Sequence, residues 1–323
     1  MLGKLRVTDN NLRMRRLTVL TILLAIGALS ITIARVQQDP SAIRLEKVKD
    51  ALYIITGGRQ EASVSGNTTV FITNTGVVLI DTKYPGYGKV ILDQVKTITD
   101  KPVTMIINTH THADHTSGNK EFPRTVEFVA HENTRTNMSK MDLFKGDSAA
   151  FVPKKTFKDR MSLLAAKDRI DLYYFGAGHT NGDAIIVFPA LRTAVMGDLF
   201  ARKWAPLIDA NNGGSALAFP QTLAKAVTTL KDIDTVITGH ATTTNGSDRE
   251  ATFTRSNPLM TWADLQEYAD FTRDFVMAAQ AAMKAGRSVD EAAGGLNLPA
   301  KYKNYNMSNL KADIERVYAE SKR

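Results

Sequence analysis

From Thr109 to His115 the chain reads Thr-His-Thr-His-Ala-Asp-His, which packs three of its six histidines and one carboxylate into a single short stretch. Imidazole and carboxylate are ligands of borderline divalent ions such as zinc. In an extended segment residues i and i+2 share a face, so the spacing predicts that His110, His112 and Asp114 converge. A turn toward Gly118 then brings His115 round from the other side. A two-ion centre needs further ligands. Three candidates stand where apolar runs end beside glycine: His179 in Gly-Ala-Gly-His-Thr, Asp198 in Met-Gly-Asp and His240 in Thr-Gly-His. The chain has no cysteine, which excludes thiolate ligands, a thiol nucleophile and a disulfide framework.

The elements that must position these groups are legible as alternating patterns. Leu52 to Thr56, Thr69 to Thr73 and Val77 to Asp81 read as strands, with Asn74-Thr75-Gly76 as the turn between the last two. Gly57 to Asn67, rich in Gly and Ser, reads as a mobile loop. Helical spacing over Tyr87 to Thr99 is followed by an apolar strand, Val103 to Asn108, that ends at the histidine block. Leu172 to Phe175, Ala184 to Phe188, Thr193 to Met196 and Thr235 to Thr238 are further strands, and the remaining candidate ligands follow three of them. Strand, helix, strand alternation indicates layered α/β. Ala241 to Asn257 reads as a loop, Trp262 to Ala285 as a long amphipathic helix and Asn309 to Ser321 as a second. His131, outside the block, reads as a structural residue at a helix start with Glu132 and Asn133 supplying cap chemistry.

The 323 residues carry a formal charge of +8, but residues 1–36 hold net +5 of it. The near-neutral body argues against a nucleic-acid groove and for a small-molecule substrate. The basic N-terminus precedes the uncharged Leu17–Ala34, the order of an export signal, cleaved or retained as a membrane anchor. This divides the chain into a signal peptide or anchor (1–37), a catalytic domain (42–245) and a C-terminal helical extension (246–323). Export to the periplasm or beyond, with membrane contact only through residues 17–34 if they are retained, is the expectation.

Taken in order, Asp81, the His110 to His115 block, His179, Asp198 and His240 resemble the five motifs of the metallo-β-lactamase superfamily. The resemblance spans roughly residues 43–245. It implies an α/β fold, a four-layer αββα sandwich with the metal site at one edge of its two sheets. It also implies two zinc ions per chain: His110, His112 and His179 on the first, Asp114, His115 and His240 on the second, Asp198 bridging them, and Asp81 as a buried carboxylate supporting the loop. Iron or manganese is the alternative metal. The chemistry so implied is hydrolysis of a carbonyl-type bond (ester, thioester, lactone or β-lactam) by a metal-bridging hydroxide, with Asp114 as the catalytic proton carrier.

Substrate choice lies in the loops. Asp198 stands where one class of true lactamases has cysteine, and so resembles glyoxalase II and the lactonases. The lysine that the lactamase branch places three residues further on is here Ala201, followed by Arg202 and Lys203, which offer a displaced anion site or two solvated charges. Phe200 and Trp204 are candidates for an apolar wall of the substrate pocket. A superfamily nuclease or phosphodiesterase, or a non-catalytic metal-binding protein, are the alternative functions.

Overall fold

Val77–Ile80 and Ile185–Phe188 are buried at every position, the mark of strands covered on both faces. The computed structural model describes residues 43–60, 63–244, 253–255 and 257–322, and these fall within one unit, Pro40–Arg323. In chain order the strands are β1 (Arg44–Lys49), β2 (Leu52–Thr56), the short pair β3 (Arg59–Gln60) and β4 (Ser63–Val64), β5 (Thr68–Ile72), β6 (Val77–Ile80), β7 (Val103–Ile107), β8 (Glu127–His131), β9 (Lys155–Phe157), β10 (Arg160–Leu163), β11 (Ile170–Tyr173), β12 (Ile185–Phe188), β13 (Thr193–Val195), β14 (Thr235–Ile237), β15 (Thr242–Thr244), β16 (Phe253–Arg255) and β17 (Leu259–Thr261).

A seven-stranded sheet runs β1-β2-β5-β6-β7-β8-β9, and a six-stranded sheet runs β10-β11-β12-β13-β14-β17. The first begins as an antiparallel meander and turns parallel from β6 onward. Alternation along the strands fills three apolar layers. Val78 and Ile80 point inward with Ile107 to meet Ile186, Phe188 and Ile237 of the other sheet. Val77 and Leu79 point outward onto α1 (Gly88–Lys96) through Ile91 and Val95. On the far side Ile185 and Val187 meet α4 (Phe219–Thr229), α5 (Trp262–Lys284) and α7 (Leu310–Ser321) through Leu223, Phe271 and Val317. Two short helices, α2 (Ala113–Thr116) and α3 (Glu132–Met138), follow β7 and β8, and α6 (Val289–Gly295) precedes α7. This is the expected αββα sandwich with a C-terminal helical region.

Three local expectations are corrected. Ala241 to Asn257 contains a hairpin, β15 paired with β16, because its Thr and Phe residues suit a pleated strand despite the polar composition. Gly57 to Asn67 likewise holds the β3–β4 pair. Phe200 lies in the core at 0% exposure, stacked on Tyr268 of α5 with centroids 4.6 Å apart; a 3-10 turn over Gly197–Phe200 aims it at the helices and away from any substrate wall.

Among the described residues no helix is long and apolar enough to cross a membrane. The expected signal or anchor at 1–37 lies outside them.

Candidate metal centre

Each candidate ligand stands at or just beyond the C-terminal end of a strand, and the two sheets bring those ends to one edge of the sandwich. His110 and His112 follow β7, His179 follows β11, Asp198 follows β13 and His240 follows β14. Asp114 departs from the extended geometry expected of it, while His115 comes round on a turn as expected. They lie in the single helical turn α2, for which His112 is the N-terminal flanking residue with extended backbone angles. The turn still delivers them to the same point.

Two groups of ligand-capable atoms result, each within 4.8 Å of one another: His110, His112, His179 and Asp198, and Asp114, His115 and His240. The Asp198 carboxylate touches both. Its Oδ2 is 3.6 Å from His179 Nε2 and 3.3 Å from His240 Nε2, and its Oδ1 is 3.5 Å from His115 Nε2. Ring nitrogens face one another at 2.8 Å between His179 and His112 and at 3.3 Å between His115 and His240. Among the described residues, buried His110 Nε2 and Asp198 Oδ1 have no hydrogen-bond partner. A buried lone pair without a donor is costly, and a cation between the groups would satisfy both atoms. The donor set, all imidazole and carboxylate, fits such an ion.

The outward nitrogen of four of the rings is held by the protein. Asp81 accepts from Thr109 N at 2.8 Å and Thr109 Oγ1 at 2.7 Å, and it binds His115 Nδ1 at 2.7 Å. It is the buried supporting carboxylate that the sequence suggests. His179 Nδ1 donates to Leu207 O at 2.6 Å and His110 Nδ1 lies 3.0 Å from Thr109 Oγ1. His112 Nε2 is bound by Asp209 Oδ2 at 2.7 Å. Such partners fix which nitrogen is left to face the centre. His112 therefore presents Nδ1, and His115 and His179 present Nε2.

Asp209 was not among the candidates read from the sequence. Asp-Ala-Asn-Asn signals a turn, and Asp209 does accept from the backbone of Asn211 and Asn212, but nothing local indicates its distant partner. Asp183 is similar. It receives both Thr180 N and Thr180 Oγ1 and so shapes the loop after His179, while burial pushes its carboxyl up to about 7.

Burial also pulls His179 down to about 4 and holds His110 well below the usual imidazole range. For His115 burial acts downward, but Asp114, Asp198 and Asp81 outweigh it and hold the ring well above its usual value. His112 is raised against burial by Asp209, Asp198 and Asp114. The imidazoles of one centre are thus shifted in opposite directions, a strong perturbation of the kind found at functional sites.

The cluster is least covered at His112 and Asp114, whose side chains are 22% and 16% exposed. That is the open side of the cluster. The basic pair beyond Asp198 divides there. Lys203 is tied to Asp264 at 2.6 Å and Glu267 at 3.2 Å on α5, so it is structural. Arg202 lies over the Trp204 ring at 3.9 Å and feels the charges of Asp198 and Asp114. His131 is structural as expected, but the capping group is its own ring: Nδ1 accepts from Asn133 N and Nε2 donates to Lys158 O.

A sequence family described as the metallo-beta-lactamase superfamily matches residues 63–240, a span that contains all seven candidate ligands. A metallo-beta-lactamase type 2 from Elizabethkingia meningoseptica is 28% identical over 163 residues, covering 50% of this chain and 63% of that protein. The 2,4-dinitroanisole O-demethylase subunit alpha of Nocardioides sp. (strain JS1661) is 27% identical over 163 residues, 50% of this chain and 47% of that one. The match therefore spans less than two thirds of either relative. Among solved structures, a metallo-beta-lactamase from Pontibacter korlensis is similar with a TM-score of 0.57 at 19% identity, over 72% of this chain and 99% of that one. A stereoselective inverting sec-alkylsulfatase from Pseudomonas sp. gives 0.66 at 16% identity, over 86% of this chain and 50% of that one. At these identities the structural likeness is one of fold.

Proposed function

The chain belongs to the metallo-β-lactamase superfamily, and from that premise we propose that it is an exported dizinc hydrolase of a small molecule with a carbonyl-type scissile bond. The observation that carries this reading is the Asp198 carboxylate standing between two ligand groups, with His110 Nε2 and its own Oδ1 buried and unsatisfied. In the proposed arrangement His110, His112 and His179 hold one ion, Asp114, His115 and His240 hold the other, and Asp198 is shared. Zinc ions held there supply Lewis acidity and make water a nucleophile near neutral pH.

The remaining work falls to the chain. Asp81, Asp209 and the Leu207 carbonyl hold the imidazoles in fixed tautomers, which lowers the cost of reorganisation during turnover. Asp114, on the exposed side, takes the proton of the attacking water and returns it to the leaving group. Arg202, stacked on Trp204 beside the carboxylates, favours a substrate with an anionic group, for which a guanidinium gives a two-pronged contact. The basic and apolar N-terminus supports export, and the near-neutral body supports a partner other than nucleic acid.

The test begins with elemental analysis of the purified protein. The zinc-loaded form is then assayed against a lactam, a thioester, a lactone, an alkyl sulfate and a phosphodiester, beside Asp114→Asn and chelator-stripped controls. Two equivalents of metal and cleavage of a carbonyl substrate that both controls abolish are expected. Turnover that survives stripping would sink the reading, and cleavage of the phosphodiester alone would replace it with the nuclease alternative.

A further inference from the structure

We infer that Lys83 is a positioning residue that ties both ends of the Gly57–Asn67 loop beneath the centre and thereby holds Asp114, His115 and His240 in register. The inference deepens the two-ion reading above and rests on it.

Lys83 is fully buried. Its ammonium donates to Gly57 O at 3.0 Å and to Gly66 O at 2.6 Å, which are the first residue of the loop and the last but one. An amino group is expensive to bury whether charged or neutral, and an apolar side chain of the same length would fill the space without that cost. Its backbone is also unusual. Asp81 and Lys83 have φ of 63° and 66°, left-handed values that non-glycine residues adopt at a cost and that cluster at functional sites. The turn they form aims the Asp81 carboxylate at His115 and the Lys83 side chain under the loop.

The loop's returning end is bonded directly to the second ligand group. Gly66 N donates to Asp114 O at 3.1 Å, Asn67 N to Gly239 O at 2.7 Å, and Asn67 Nδ2 to Thr238 O at 2.9 Å. The backbone of the lysine's own turn is bonded there too, with Thr82 N donating to His115 O at 2.8 Å and Gly118 N donating to Lys83 O at 3.0 Å. All of these partners flank Asp114, His115 or His240. His110, His112 and His179 are held instead by Thr109, Asp209 and Leu207. Asp81 serves both groups, through Thr109 and through His115, but the bonds of the loop that Lys83 ties run to the second group, so removal of the lysine's two bonds should loosen that group and spare the other.

The experiment compares the full-length wild type with Lys83→Met and Lys83→Gln. Each protein is stripped, then titrated with cobalt(II) and with zinc, with stoichiometry read by elemental analysis, affinity by competition against a chromophoric chelator and geometry by the cobalt visible bands. Wild type should take two equivalents. Lys83→Met should keep the first at wild-type affinity, which also reports a folded centre, and bind the second at least about tenfold more weakly with altered bands. Lys83→Gln keeps a donor and should recover part of the loss. Unchanged binding of both equivalents, or equal weakening of both, would overturn the inference and leave the two-ion reading standing. A wild type that binds no metal would instead remove that reading and the inference with it. If Lys83→Met yields no folded protein by circular dichroism, the titration of Lys83→Gln decides: a selectively weakened second equivalent supports the inference, and unchanged or equally weakened binding overturns it.

Discussion

The Asp209 carboxylate grips His112 at 2.7 Å across 97 residues of sequence, and three further donors from Asn211 and Asn212 converge on it. The His112 bond, ahead of the others, holds its carboxyl well below the ordinary range, so it is an anion at neutral pH. It fixes the ring with Nδ1 toward the centre. Asp209→Ala should weaken metal binding by about 10- to 100-fold, the usual cost of removing a partner of this kind. Competition with a calibrated chelator measures it. An affinity equal to wild type would show that His112 is oriented by something else.

Gly66 sits against a ligand. A Cβ built there would lie 2.4 Å from His115 Cε1 and 2.6 Å from Nε2, and the ring cannot withdraw because it is buried and bonded to Asp81. Gly66→Ala should therefore displace His115 or push the loop outward. The expected outcome is weaker binding of the second ion with the first retained, and a stability loss of about 1–3 kcal/mol as in overpacked cores. Metal titration alongside thermal melting separates the two effects.

Glu320, near the end of α7, accepts from Ser215 Oγ at 2.6 Å, Ala216 N at 2.8 Å and Leu217 N at 3.2 Å. It holds the segment that leads from Asp209 into α4. Glu320→Ala should lower stability by about 1–3 kcal/mol, because those donors lose a charged acceptor. Glu320→Gln, which keeps one carbonyl acceptor, should lose less. Denaturant unfolding of both variants decides it; equal losses would mean that the charge, and not the acceptor, matters.

Asp313 lies on the buried face of α7, its Oδ2 without a hydrogen-bond partner among the described residues, and burial pushes its carboxyl up to about 8. The sign follows from linkage. The folded protein keeps this proton while the unfolded chain releases it near pH 4, so the contribution is intact below that pH and is lost progressively until about pH 8. The slope is at most about 1.4 kcal/mol per pH unit. Asp313→Asn removes the titrating carboxyl, so its stability relative to wild type should rise through this window and level off above it. Urea unfolding across pH 5 to 8 tests this, and parallel curves for the two proteins would refute it.

Much of the centre is legible along the chain because metal ligands are chemically rare and the strand-then-glycine setting repeats. His110, His112, Asp114, His115, His179, Asp198 and His240 are all brought to one sheet edge, and Asp81 is a buried carboxylate that supports the loop, as the resemblance implies, through Thr109. The strand pattern was readable for the same reason: runs such as Val77–Ile80 must be apolar on both faces when layers cover both. The helix Phe219–Thr229 carries a usable signal in Pro220 near its start and in the spacing of Phe219, Leu223 and Ala226.

Other features belong to the folded molecule alone. Phe200 stands two residues from Asp198, yet a 3-10 turn sends it into the core. Lys203 looks like Arg202 in the sequence but is tied to α5 by Asp264 and Glu267. Lys83 carries no local mark of its burial or its two carbonyl partners. Residue type and periodicity report what a side chain can do and which face it occupies, since both arise within a few bonds of it. Which distant atom it meets depends on how separate strands and loops pack, and no local pattern encodes the pairing of His112 with Asp209.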